Sequence, residues 1–242
     1  MAAGPGPGTR NRKGSGTQMT KRAALFDVDG TLVDTNHLHV TAWWEAFRQA
    51  GHTVPMSAIH RAIGLTGGDL VAHLLGDERD RGKDAGISAA HAALYGTYAD
   101  RLPALESASD LLRSLADRGW RIVLATSAGG SELAALRRAI DAEDAIAGVA
   151  SADDVAAGKP APDPVHHALS VADVPPENAV FVGDSVWDMG AASRAGVRAV
   201  GMLSGGIPHA ALEAAGAGAV YEDPTGLLAG LDTSVFAELE TR

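Results

Sequence analysis

Ala23-Ala-Leu-Phe-Asp-Val-Asp-Gly-Thr31 decides how this chain reads: four apolar residues, then two aspartates one residue apart, then a glycine and a hydroxyl. A run this short, apolar throughout and stopped by a polar turn, has the character of a strand buried on both faces. The pattern returns three times. Arg121-Ile-Val-Leu-Ala125 stops at Thr126-Ser-Ala-Gly-Gly130, Asn178-Ala-Val-Phe-Val182 at Gly183-Asp-Ser185, and Val197-Arg-Ala-Val-Gly-Met202 at Leu203-Ser-Gly-Gly206. Weaker strands are expected over 145–150 and 219–222. Helices are predicted over 109–118, 131–140, 164–170 and 187–195, with Ser131 and Asp163-Pro164 as helix starts. Strand and helix in alternation predict an α/β fold, a Rossmann-like doubly wound parallel sheet.

One stretch breaks the alternation. From 36 to 102 no strand pattern appears; apolar residues recur at helical spacing (Leu38, Ala42, Ala46, Phe47, then Leu70, Leu74, Leu75) between scattered glycines. This predicts an inserted α-helical cap that leaves the sheet after strand one and returns before strand two. Parallel sheets bind ligands at the carboxyl ends of their strands, so an insert rooted there can serve as a lid. The expected organisation is a disordered tail over 1–20, an α/β core made of 21–35 and 103–242, and the cap over 36–102. The tail is rich in Gly, Pro and small polar residues, and no acid occurs through Arg22, against Arg10, Arg12, Lys13, Lys21 and Arg22. No apolar stretch of the secretory kind follows those basic residues.

Composition removes several chemistries. The 242 residues include no cysteine, which excludes disulfides, thiolate metal sites and a cysteine nucleophile. The net charge of −10 becomes −15 beyond residue 22, where 15 basic residues face 30 acidic ones. That balance argues against an electrostatic grip on nucleic acid. No apolar run of ~18 residues is present, so no membrane span is expected. The expectation is a cytoplasmic protein, monomeric or homodimeric, acting on a small molecule.

The polar residues after the strands would share one edge of the sheet: Asp27 and Asp29, then Thr126 and Ser127, then Asp184 and Asp188, with Lys159 in the loop Gly158-Lys-Pro-Ala-Pro-Asp163. Carboxylates crowded into one crevice repel and raise one another's pKa. A divalent cation removes that conflict, and oxygen-only ligands favour Mg²⁺. A carboxylate beside Mg²⁺ can attack phosphorus, while Lys159 and Thr126 can neutralise and hydrogen-bond the phosphoryl oxygens.

These residues, taken in order, resemble the four motifs of the haloacid dehalogenase-like hydrolase superfamily: Asp27-Val-Asp-Gly-Thr31, Thr126 after a hydrophobic strand, Gly158-Lys159-Pro160, and Gly183-Asp184-Ser-x-x-Asp188. The resemblance covers about residues 22–206, and its helical insertion is similar to the subgroup of phosphoglycolate phosphatase-like and β-phosphoglucomutase-like enzymes. It implies Asp27 as nucleophile and Asp29 as the acid for the leaving alcohol and then the base for water. It implies Thr126 and Ser127 on the phosphoryl group, and Lys159 stabilising nucleophile and phosphate. Val28 would join the substrate-binding set. Mg²⁺ would be held by Asp27, the Asp29 carbonyl and Asp184, with Asp188 as a further ligand or a partner to the metal water and Lys159. Gly30 would permit the turn out of the strand. The implied activity is Mg²⁺-dependent hydrolysis of a small phosphomonoester, such as a sugar phosphate or phosphoglycolate, through an aspartyl-phosphate.

Two departures separate this chain from its subgroup. Near Gly67 the mutases carry an arginine for a second phosphate and phosphonoacetaldehyde hydrolases a Schiff-base lysine; here neither Lys nor Arg occurs from Ala62 to Glu78. The fourth motif reads Gly183-Asp184 where the mutases usually have Glu-Asp. Against one alternative, a non-catalytic phosphate-binding relative, stands the presence of every catalytic position. Both departures favour hydrolysis over the other, a hexose-phosphate mutase. Against this, Asp34-Thr-x-x-x-His39-x-x-Ala-Trp43 resembles the mutase hinge, whose histidine assists the catalytic acid. His39 is therefore either a substrate-side residue or an exposed cap-helix residue. Of Trp43 and Trp44, one is expected to pack the cap and the other to face the cleft. Trp187 is expected to pack its own helix or border the site.

Overall fold

The computed structural model describes Met1, residues 20–151 and residues 155–241. The tail expected over 1–20 therefore lies, apart from Met1 and Thr20, outside the described residues. The chain opens with β1 (Arg22–Phe26) and then makes four helices, α1 (Asn36–Gln49), α2 (Met56–Ala62), α3 (Gly67–Leu75) and α4 (Asp84–Tyr95). It continues through α5 (Ala108–Asp117), β2 (Trp120–Ala125), α6 (Gly130–Ile140), β3 (Ile146–Ala150), α7 (Asp163–Ala172) and β4 (Ala179–Gly183). It ends with α8 (Val186–Arg194), β5 (Arg198–Met202), α9 (His209–Ala215), β6 (Ala217–Tyr221), α10 (Pro224–Gly230) and α11 (Val235–Glu240).

The six strands form one parallel sheet in the order β3-β2-β1-β4-β5-β6. Its central strands are apolar along most of their length because both faces are covered, while β3 and β6 at the edges are only part-buried. On one face Ala24, Phe26, Ile122, Leu124, Val180 and Val182 meet side chains of α5, α6, α10 and α11. On the other, Ala23, Leu25, Val123, Ala179 and Phe181 meet α7, α8 and α9. Neighbouring residues of a strand point to opposite faces, so every position of such a run is buried. The chain winds from β1 outward through β2 to β3, then returns to β4 beside β1 and winds outward the other way. The order therefore reverses beside β1, and a crevice opens at the carboxyl ends there.

Some expected bounds shift. The strand expected from 178 begins at Ala179, because Pro176–Asn178 forms a 3-10 turn, and it runs on to Gly183, which pairs with Gly201. Ser131 is not the helix start: Gly129 occupies the N-cap and no side chain caps that helix. The strand expected from 219 starts at Ala217, where the ladder with β5 begins.

The helical segment packs around its own apolar centre of Val40, Trp43, Phe47, Ile59, Leu70 and Ile87. In α1 the buried residues His39, Val40, Trp43, Ala46 and Phe47 follow a three-and-four spacing, which puts them on one face. The chain leaving β1 and the chain returning from the cap are tied together. Asp34 N donates to Pro103 O at 2.9 Å, and Leu105 N to Leu32 O at 2.9 Å. This short antiparallel contact roots the cap beside the crevice.

Candidate active site

Asp27 is the first residue past β1, and its N–H still donates to Val182 O of β4 at 2.9 Å. The backbone then tightens: Val28 O accepts from the N–H groups of Thr31, Leu32 and Val33. Gly30 makes that turn possible. Its φ is +74°, and a Cβ on it would overlap the side chains of Asn36 and Asp184. At the end of β4, Ser185 caps α8: its hydroxyl accepts from Asp188 N at 3.2 Å, while Ser185 N and Oγ donate to Asp188 Oδ2 at 3.1 and 2.5 Å. That reciprocal box fixes Asp188 with its second oxygen toward the crevice.

Lys159 reaches into the same place from the loop before α7. Its ammonium lies 2.5 Å from Asp27 Oδ1 and 2.7 Å from Asp188 Oδ1, and the residue is 1% exposed. Asp184 is held by Thr31 Oγ1 at 3.2 Å and Asn36 Nδ2 at 2.7 Å. Oxygen atoms of Asp27, Asp184 and Asp188 all lie within 4.8 Å of one another, and all three residues are buried. One lysine thus stands among several buried carboxylates. Burial, together with Asp188 and Asp184, pushes the Asp27 carboxyl well above the usual range despite Lys159. Burial and the charge of Asp188 push Asp184 up to about 7. Burial disfavours charge on Lys159, but the two carboxylates outweigh it and hold the ammonium above its ordinary value. This cluster has oxygen donors only and excess negative charge, which suits a hard divalent cation.

Asp29 faces the other way, toward the cap. Burial alone would raise its carboxyl, but hydrogen bonds from His39 and Thr35 outweigh it and hold Asp29 low. Thr35 Oγ1 donates to Asp29 Oδ1 at 2.5 Å, and His39 Nε2 lies 3.3 Å from the same oxygen. His39 is 7% exposed, so the alternative of a solvent-facing cap residue does not hold: the inner face of α1 turns it to the core. Burial pulls His39 down, but Asp29 and Glu132 outweigh it and raise its pKa. Its Nδ1 lies 3.1 Å from His91 Nε2 on α4.

The remaining expected residues fall as follows. Thr126 is buried at the end of β2, with its hydroxyl accepting from Ala128 N at 3.0 Å. Ser127 Oγ donates to Gly64 O in the cap at 3.2 Å. Val28 sends its side chain into the core, which leaves only its backbone for a ligand. Trp43 is buried in the cap and also lines a cavity with Gly67 beside Asp27 and Asp29. Trp44 is half-buried, with the Arg48 guanidinium 5.0 Å above its ring. Trp187 borders the site, lining a crevice with Lys159, and its Nε1 donates to Arg61 O of the cap at 3.0 Å.

Several residues here were not expected from sequence: Thr35, Asn36, His91 and Glu132. Glu132 lies in the first turn of the helix after β2, the sheet edge where ligands bind, and that position was a readable signal. Burial raises it to about 7. His91 carried no such signal, since only the packing of α4 on α1 brings it to His39 from 52 residues away.

The chain matches the model of the haloacid dehalogenase-like hydrolases over residues 21–196. It is 33% identical over 223 residues to Protein CbbY of Cereibacter sphaeroides, covering 87% of this chain and 96% of that one. It is 31% identical to a phosphoglycolate phosphatase of Rhodospirillum rubrum, covering 84% and 87%. The crystal structure of a hydrolase from Pseudomonas syringae superposes with a TM-score of 0.83 at 35% identity, covering 88% and 99%.

Proposed function

The chain belongs to the haloacid dehalogenase-like hydrolase family and is a phosphatase, and we propose that it hydrolyses a small organic phosphomonoester, a sugar phosphate or phosphoglycolate-like ester, with Mg²⁺. The observation that carries this reading is the buried Asp27 carboxylate. It lies at the carboxyl end of the central β1, paired to Lys159 at 2.5 Å and flanked by Asp184 and Asp188.

In this reading Asp27 attacks phosphorus and the bond to the leaving oxygen breaks. Asp29, held ionised in the free site, takes up a proton from solvent as the negative phosphate beside it raises its carboxyl, and gives that proton to the leaving oxygen, leaving an aspartyl-phosphate on Asp27. Asp29, now a carboxylate, takes a proton from water, which attacks phosphorus and releases phosphate and free Asp27. Thr126, with its hydroxyl hydrogen still free to donate, and the Ser127 backbone bind the phosphoryl oxygens. Lys159 pairs with Asp27, opposing the rise that burial imposes on its carboxyl, and neutralises the same oxygens. His39 and Thr35 position Asp29. Asp27, Asp184, Asp188 and the Asp29 carbonyl would hold Mg²⁺, which when bound offsets the charge of carboxylates and phosphate. The segment 36–102 acts as a cap over core residues 21–35 and 103–242, excluding water while the first step proceeds.

The mutase alternative needs a cation under the cap for a second phosphate, and neither Lys nor Arg lines that cavity. Phosphate release from a panel of small phosphomonoesters tests the reading, with Mg²⁺, with EDTA, and with Asp27→Asn. Release that needs Mg²⁺ and Asp27 is expected. Turnover that survives in EDTA, or in a folded Asp27→Asn protein, would overturn it.

A further inference from the structure

We propose that the leaving group taken by this enzyme is an uncharged or cationic polyhydroxyl group, and that the cavity under the cap rejects leaving groups bearing a carboxylate or a second phosphate; this rests on the phosphatase reading above and, of its two substrate classes, keeps the sugar phosphates and drops the phosphoglycolate-like esters. The cavity, about 180 Å³, opens from Asp27 and Asp29 into the cap. A phosphorus placed against Asp27, with its ester oxygen within reach of Asp29, sends the rest of the substrate there. The walls beyond are Trp43, Ser88 and His91 from the cap and Glu132 from the core. None of the lining residues is a lysine or an arginine.

The two histidines do not supply the missing cation. His39 Nε2 lies 3.3 Å from Asp29 and 3.5 Å from Glu132, and its Nδ1 meets His91 at 3.1 Å, so both ring nitrogens serve the pocket's own groups. Burial and the neighbouring His39 push His91 down to about 3, which makes it a neutral hydrogen-bonding ring. A carboxylate entering here would face Asp29 and Glu132 in a water-poor crevice, where like charges repel strongly. Hydroxyl groups fare better: Ser88 and Glu132 offer them donors and acceptors, and the Trp43 indole offers an apolar wall to carbon. An amine would pair with Glu132.

Two matched pairs of esters test this: glycerol 3-phosphate against 3-phosphoglycerate, and phosphoethanolamine against phosphoglycolate. Within each pair only one carbon differs, carrying a carboxylate or not. The enzyme should favour the non-carboxylate member by ~10-fold or more in kcat/KM. At pH 8, above the value of about 7 to which burial raises Glu132, Glu132→Gln should narrow that gap by removing the repelling charge. Gly67→Arg should narrow or reverse it. A Cβ at Gly67 would lie 3.5 Å from the Trp43 ring and 3.8 Å from Ser88 Oγ, ordinary van der Waals contacts. If Gly67→Arg folds poorly by circular dichroism, Glu132→Gln alone carries the test. Equal or faster hydrolysis of the carboxylate esters by the unmodified enzyme would overturn the proposal while leaving the phosphatase reading intact. So would a gap unchanged in the folded variants. Release from none of the four esters would overturn the proposed substrate class, while the phosphatase reading would stand or fall on the wider panel with EDTA and Asp27→Asn.

Discussion

Lys159 is the residue whose removal has the clearest consequence. It is a fully buried ammonium between Asp27 and Asp188, and among the described residues no other cation pairs with either. Lys159→Met keeps much of the side chain's length and removes the charge. Leaving buried carboxylates unpaired costs roughly 3–5 kcal/mol, and this should appear as a lower denaturation midpoint of the metal-free protein at pH 8. Phosphate release should fall ~10²–10³-fold, the usual cost of one preorganised charge-stabilising group. A midpoint and a rate close to those of the unmodified enzyme would contradict the role given to Lys159. At this scale much was legible from sequence. Asp27, Thr126, Asp184 and Asp188 each follow a short apolar run, and a parallel sheet gathers the ends of its strands at one edge. Lys159 follows no strand, and only its motif marked it. Glu132, in the first turn of the helix after β2, stood at a legible position; His91 did not, because its place depends on how α4 packs on α1.

The elements meet at a few polar contacts that hold the cap down. Trp187 Nε1 reaches Arg61 O at 3.0 Å, Ser127 Oγ reaches Gly64 O at 3.2 Å, and His60 Nε2 meets Gly205 O at 2.8 Å. Trp187→Phe removes one of these bonds and keeps a ring against the cap. One hydrogen bond is worth ~1 kcal/mol, so KM should rise about fivefold while Tm hardly moves. An unchanged KM would show that this contact does not help close the cap. Gly205 is a stricter case. A Cβ there would overlap the Asp184 carboxylate, so Gly205→Ala must displace the carboxylate or the loop. It should lower stability by roughly 1–3 kcal/mol and weaken Mg²⁺ binding in a calorimetric titration. Glycines in the cap and the loop Gly205-Gly206 were visible in the sequence as punctuation. Their steric role was not, since it depends on which side chain arrives opposite. Trp187 is legible as a residue bordering the site, where it lines a crevice with Lys159, but the carbonyl it reaches belongs to another element and is not.

The whole molecule carries its negative charge unevenly, and its stability should report this. Without metal, Asp184 and Glu132 titrate at about 7, against about 4 for a free carboxyl. A carboxyl raised on folding keeps protons that the unfolded chain has released, so stability falls as pH rises toward the folded value. His39, also raised, acts in the same direction. His91, lowered to about 3, opposes them only below about 6.5, where an unfolded histidine still gains a proton. The metal-free protein should therefore show a falling Tm from pH 6.5 to 8. Saturating Mg²⁺ should raise Tm most at the upper end, since proton and metal compete for the same carboxylates. A Tm flat across that range, with no response to Mg²⁺, would contradict the crowded-carboxylate picture. At this scale the parallel sheet and the inserted helices were legible in the alternation of short apolar runs. The face the cap presents to Asp29 was not, because it is set by contacts between segments far apart in the chain.

The most direct test of the central claim is to quench the enzyme in acid during turnover with Mg²⁺ and map the phosphorylated residue by mass spectrometry. The account predicts one phosphoryl group, on Asp27, present during turnover and absent both in Asp27→Asn and once substrate is exhausted. A phosphoryl group on another residue, or steady turnover by a folded Asp27→Asn protein, would contradict it.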